Sequence, residues 1–186
     1  SLDALRGHII VARNRGKPAI VRISELGRPF IKPVLDSGAD GIVVPQVKTA
    51  DEVKSLIEDC RYPPLGKRGL GPTIPSNYWR DIDEEFFLQS NINIFASIMV
   101  ETVEAVENID EILAVPGLDS IVIGPSDLAA SLGVMGDINH PKVADAMEEV
   151  IPKAKAAGVF VGAGLGPDAD WACVLVDRGV QWLQLS

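Results

Sequence analysis

The chain has 186 residues, 47% hydrophobic and 23% charged, the make-up of one ordinary globular domain long enough to bury a core. Its formal net charge of −9 repels phosphate backbones and anionic lipid heads, which disfavours nucleic-acid and membrane partners. No apolar run approaches the roughly 18 residues of a membrane span. No basic-then-apolar leader is visible at the start, and Cys60 and Cys173 lie far apart without CxxC spacing, so a cytoplasmic protein with two reduced thiols is expected.

The elements follow in chain order. Apolar residues at Leu2, Leu5, Ile9, Val11 and Ala12 predict a helix over 1–15, closed by Gly16. Residues 19–23 read as a short strand carrying Arg22. Residues 28–37 read as a helix whose start is blurred by Pro33. A strand over 41–44 stops at Pro45, and Thr49 with Glu52 forms a capping box for a helix to Cys60. Residues 61–82 carry four prolines, three glycines and no period. A loop of this length is either functional or a misread element. It is net positive (Arg61, Lys67, Arg68 and Arg80 against Asp81) on an acidic chain.

After a helix over 83–90 comes a strand over 94–100, a helix over 103–113 and a strand over 120–123. A short helix over 127–132 follows, and Pro141 opens a longer one to about 157. A strand over 159–162, a helix over 168–178 and a strand over 181–185 complete the chain. Six strands alternating with helices, without hairpin turns, imply a parallel sheet with right-handed crossovers. A doubly wound sheet and a closed (β/α)8 barrel both fit, although no Gly-rich dinucleotide fingerprint follows the first strand. A barrel of about 250 residues has eight units. The chain is therefore expected to be one partial barrel domain over 1–186, lacking the first two strands and the last helix; the rival is an open six-stranded sheet.

Two carboxylates, Glu101 and Asp127, fall just past the C-terminal ends of consecutive strands, where parallel α/β folds place their chemistry. Adjacent strands lie about 4.8 Å apart, so the pair can converge on a hard cation such as Mg2+ or Mn2+. The alternative is that Asp127 merely caps the following helix and Glu101 merely begins its own. Arg22 can bind a carboxylate or an oxyanion, or form a rim ion pair. Gly124-Pro125-Ser126-Asp127 turns into a helix whose free N–H groups make an anion cradle. Gly162-Ala163-Gly164-Leu165-Gly166 is either a phosphate loop or an ordinary turn. His140 reads as a capping or turn residue and His8 as a surface or packing residue. Tyr78 and Trp79 suit a lid or an oligomer contact.

The stretches SLDALRGHI, VLDSGADGIVVP, CRYPPLGKRGLGP, VETVEAVENIDEILAVPGLDSIVIGPSDLAASLGVMG and NHPKV resemble the HpcH/HpaI family of class II metal-dependent aldolases acting on hydroxy-oxo-acids. The resemblance implies a phosphoenolpyruvate/pyruvate-type TIM barrel, assembled as a hexamer and serving aromatic or sugar-acid catabolism. It implies Glu101 and Asp127 as ligands of Mg2+ or Mn2+, with Co2+ as an alternative. It further implies Arg22 as the catalytic group on the substrate carbonyl, and Ser126 and Asp127 N–H groups on the carboxylate of a small 2-oxo-acid. The reaction would be reversible cleavage of a 4-hydroxy-2-oxo-acid to pyruvate and an aldehyde; a non-catalytic assembly subunit and an acyl-CoA lyase are the rival functions.

Two departures stand out. The family's base, a His held by an Asp in a D-x-E-H stretch, would fall just before Ser1, so the polypeptide alone is expected to be poorly active. The family also has Gln where this chain has Met99, and Met where it has Gln46. Either the site amide has moved across strands, with Gln46 and Met99 still lining the substrate site beside Gly124 and Pro125, or both changes are independent.

Overall fold

Six β-strands alternate with helices along residues 1–185, the residues described by the computed structural model. They fall into two compact units, one of Ser1–Val44 with Lys54–Ala96, the other of Pro45–Val53 with the chain from Ser97 onward.

In the first unit α1 (Leu2–Asn14) starts at Ser1, whose hydroxyl accepts from Ala4 N–H. β1 (Ile20–Arg22) runs parallel to β2 (Gly41–Val44), with Arg22 beside Val43. Between them α2 (Arg28–Asp36) passes through Pro33 without ending, and its apolar stripe buries Ile31, Val34 and Leu35. All four residues of β2 are buried, as expected of a parallel strand covered on both faces. The capping box of α3 (Ala50–Cys60) forms as the sequence predicts: Glu52 N–H donates to Thr49 Oγ1 at 3.3 Å, and Glu52 Oε2 accepts from Thr49 N–H at 3.0 Å. Cys60 is buried, Cys173 is exposed, and neither is in a disulfide among the described residues.

The long segment before α4 (Glu84–Asn93) has no regular element, but it is anchored. The Arg68 side chain is 3% exposed; its Nη2 donates to Asp36 Oδ1 at 2.8 Å, and its guanidinium lies 4.5 Å from the Tyr62 ring centre. Lys32 also pairs with Asp36. The positive charge noted there is thus partly interior, holding loop to helix. Buried Asn91 clamps the start of the segment, accepting from Tyr62 N–H at 2.6 Å and donating to Tyr62 O at 3.2 Å. Asn77, Tyr78 and Trp79 form a left-handed turn at φ 49°, 58° and 68°, with both aromatic rings exposed.

In the second unit β3 (Phe95–Val100), β4 (Ser120–Ile123), β5 (Phe160–Leu165) and β6 (Trp182–Leu185) pair in parallel in that order. The helix expected over 103–113 is broken into α5 (Val103–Glu107) and α6 (Ile109–Leu113). The break falls at Asn108, whose Nδ2 donates to Lys48 O at 3.0 Å. α7 (Pro125–Ser131) starts earlier than predicted, with Pro at its first position. α8 (Pro141–Ala156) is capped by His140, whose ring accepts from Lys142 N–H. α9 (Ala169–Asp177) is capped by Asp168. The turn read over 162–166, whether an ordinary turn or a phosphate loop, starts later than expected: residues 162–165 belong to β5. Gly162 is small because a Cβ there would stand 2.3 Å from the Trp182 ring.

Two outcomes test the first unit. Asn91→Ala leaves a buried N–H and carbonyl of Tyr62 without their partner and should lower unfolding free energy by about 2–4 kcal/mol in urea titrations. Burial raises the Tyr62 phenol above its ordinary 10.0, Arg68 lowers it in part and Asp36 adds to the rise. Its hydroxyl has no hydrogen-bond partner among the described residues. The stability tied to the neutral phenol is complete below pH 10 and lost as pH climbs through the raised value. Tyr62→Phe should therefore be nearly neutral at pH 7 and flatten the alkaline fall in stability, measured as midpoint against pH.

Candidate active site

The site in the second unit grows from the β3–β4 register. Val100 lies beside Ile123, and Gly124 N–H donates to Val100 O at 3.2 Å, so the next residues, Glu101 and Gly124, come together at the strand ends. Glu101 is 2% exposed. It does not merely begin a helix: Thr102 caps α5 through Ala105 N–H, and the carboxylate turns the other way. Its Oε1 accepts from the backbone N–H of Gln46 at 2.8 Å and from Gln46 Nε2 at 2.9 Å. Gln46 reaches it from a left-handed backbone at φ 56°, immediately after Pro45.

Gly124 faces the other oxygen. A Cβ on residue 124 would stand 2.9 Å from Glu101 Oε2, 3.1 Å from Glu101 Cβ and 3.4 Å from Met99 Cε. Met99, two residues before Glu101 on the same face of β3, is buried beside this close approach. Gln46, Met99, Glu101 and Gly124 are thus brought together.

Asp127 is exposed in the first turn of α7 and is not its cap; that position belongs to Gly124, which offers no side chain. Leu128 N–H is the first in α7 to bond back, to Gly124 O at 2.9 Å. The Ser126 and Asp127 N–H groups precede this ladder. Pro125 and Ser126 also border a hollow of about 250 Å3 with Gly164, Leu165, Asp168 and Trp171. Trp171 was not singled out from the sequence; its place three residues after the capping Asp168 is the only local signal.

Arg22 belongs to the first unit. It closes β1, is exposed, and borders a surface hollow with Leu5, Phe30 and Val34. The expected rim ion pair is not made among the described residues.

Glu101 and Asp127 are carboxylates, the donor type that a hard divalent cation takes. No cluster of three or more His, Cys, Asp or Glu that could hold a metal ion occurs among the described residues. An all-oxygen pair of this kind is the donor chemistry that suits a Mg2+- or Mn2+-like ion completed by water or substrate.

A profile of the HpcH/HpaI aldolase/citrate lyase family matches residues 3–185. The chain belongs to the HpcH/HpaI family. Among its relatives, the 2-keto-3-deoxy-L-rhamnonate aldolase of Escherichia coli O1:K1 / APEC is 38% identical over 157 residues, covering 83% of this chain and 58% of that protein. The chain thus spans 58% of that curated relative's length. The solved HpcH/HpaI aldolase of Desulfitobacterium hafniense DCB-2 superposes with a TM-score of 0.92 at 36% identity, over 100% of this chain and 72% of that one. A family protein of Burkholderia cenocepacia J2315 gives 0.91 at 29% identity, over 100% of this chain and 74% of that one. The α/β fold is consistent with a partial TIM-like barrel.

Within this HpcH/HpaI chain, then, the amide beside the strand-end glutamate is carried by Gln46 and the apolar contact by Met99. The packing around Glu101 predicts that Gly124→Ala will push the carboxylate aside. The expected cost is about 1–3 kcal/mol of unfolding free energy, read from denaturant midpoints.

Proposed function

We propose that the chain carries the metal-binding part of an aldolase that reversibly cleaves a 4-hydroxy-2-oxo-acid to pyruvate and an aldehyde. The observation that carries this reading is the buried Glu101 carboxylate, held at a strand end by Gln46 and packed against Gly124, the residue just before α7. A carboxylate so placed has no packing role that a neutral side chain could not fill. The family relative named a 2-keto-3-deoxy-L-rhamnonate aldolase supports the reaction class.

In this proposal Glu101 and Asp127 hold the divalent ion, Mg2+ or Mn2+. When bound, the ion supplies Lewis-acid polarisation of the 2-oxo group. Ser126 and Asp127 N–H groups, lying ahead of the α7 ladder, bind the substrate carboxylate. Cleavage breaks the C3–C4 bond: a base takes the 4-hydroxyl proton, the O–H pair forms the aldehyde carbonyl, the C3–C4 pair passes towards the 2-oxo oxygen as the pyruvate enolate, and a proton returned to C3 gives pyruvate. Arg22 is assigned to the negative charge that gathers on that oxygen. His8 bonds to Ala4 O within α1 and His140 caps α8, so neither is assigned as the base.

The test is exchange of the pyruvate methyl protons with D2O, followed by proton NMR on the complete enzyme with Mg2+ or Mn2+. Exchange is expected with metal, and Glu101→Gln should slow it by about 100-fold or more. A metal-loaded, folded sample that exchanges nothing would overturn the aldolase reading.

A further inference from the structure

We propose that the first unit carries a second ligand site, a hollow at the N-terminal end of β2 that takes a small organic carboxylate on Arg13 and Arg68, with its carbon skeleton against an apolar wall. The proposal is independent of the metal and aldolase readings above.

The hollow measures about 240 Å3, and all of its lining residues belong to the first unit. Asp40, in the lining, immediately precedes β2, and Ile94, also in the lining, immediately precedes β3. The hollow thus lies at strand starts. Arg22, beside Val43, belongs to the opposite strand ends, where parallel α/β folds place their chemistry.

Charge decides what the hollow would bind. Asp36 already pairs with Lys32, yet the Arg68 side chain, 3% exposed, pairs with it as well. Arg68 is therefore more than a counter-charge to Asp36, and its Nε has no hydrogen-bond partner among the described residues. The Arg13 side chain has no ion-pair partner among them either. Its Nη1 lies against Gly38, where a Cβ would stand 3.0 Å from it, so the cation is held over the lining. Asp40 opposes the two guanidinium groups, but its Oδ2 is engaged by Ala19 N–H at 2.8 Å. Arg13, Lys32 and Arg68 outnumber Asp36 and Asp40, which leaves a local positive surplus on a chain of net charge −9. A guanidinium presents paired N–H groups at the spacing of a carboxylate. Leu35, Phe86 and Ile94 form the apolar part of the lining, which suits a carbon skeleton rather than a hydrated inorganic ion.

The test titrates the complete enzyme with benzoate, benzamide and inorganic phosphate, with binding followed by ligand NMR. Benzamide keeps the shape of benzoate without its charge, and phosphate keeps charge without the apolar body. Benzoate should bind at least about tenfold more tightly than benzamide, and equimolar phosphate should not displace it. Arg13→Gln, an exposed change that opens no core cavity, should weaken benzoate by about tenfold. Ser90→Leu, which places bulk in the lining, should abolish binding, and Glu101→Gln in the second unit should leave it unchanged. Folding of each variant is checked by circular dichroism. Equal benzoate affinity in the wild type, Arg13→Gln and Ser90→Leu overturns the proposal. So does a complete enzyme that binds no benzoate, benzamide binding as tightly as benzoate, or displacement by phosphate. Loss of benzoate in folded Glu101→Gln assigns the binding to the substrate site and overturns it as well.

Discussion

A carboxylate removed from water must be hydrogen-bonded or neutralised, and the second unit is arranged around that requirement at Glu101. The residue lies where β3 ends, shielded by the strand on one side and Gly124 on the other. Its first partners come from Gln46, 55 positions earlier in the chain. Asn has the stronger preference for left-handed backbone, but its amide is one methylene shorter. A β-branched residue would resist that backbone altogether. Identity at 46 is thus narrowed by a reach condition and a dihedral condition together.

The surroundings stiffen the same point. The backbone just after Glu101 is held by Thr102 capping α5 and by Val103 N–H donating to Ser131 Oγ at 2.9 Å, across to the end of α7. Asn108 divides α5 from α6 by bonding to Lys48 O, and Lys48 N–H in turn donates to Glu52 Oε2 at 2.7 Å. The segment that carries Gln46 and the segment that follows Glu101 are therefore tied at two places, at the Gln46–Glu101 bonds and at Asn108. Sites built on such cross-braced strand ends hold their geometry better than sites on free loops.

Much of this was legible from residue order. The Thr49–Glu52 box, the Pro141 start, the Asp168 region and the carboxylates past consecutive strands all follow local rules, and the structure keeps them. What sequence hid shares one cause, a partner far along the chain. The break at Asn108 is made by a carbonyl 60 positions away. Gly162 looks like turn punctuation until the Trp182 ring is seen against it. Arg68 counted in the sequence only towards the net positive charge of its loop, and it lies over Tyr62 and on Asp36. The Gln46 and Met99 pair hinted at an amide that had changed strands. Its contact with Glu101, however, depends on a positive φ that no local pattern announces. Arg22 was placed correctly at the end of its strand, while its part in chemistry remains a proposal.

Trp182 gives the last strands an alignment mark. Its ring covers Gly162, its paired residue on β5, and its indole N–H donates to Ser120 Oγ on β4 at 3.0 Å, an oxygen that itself donates to Phe160 O at 3.0 Å. One side chain on β6 thereby checks its position against two strands at once. A slip by one residue would turn the indole to the opposite face of the sheet. A slip by two would set it over Phe160 or Gly164, and the Ser120 bond would be lost either way. A single residue on β6 thereby penalises mispaired arrangements of β4, β5 and β6.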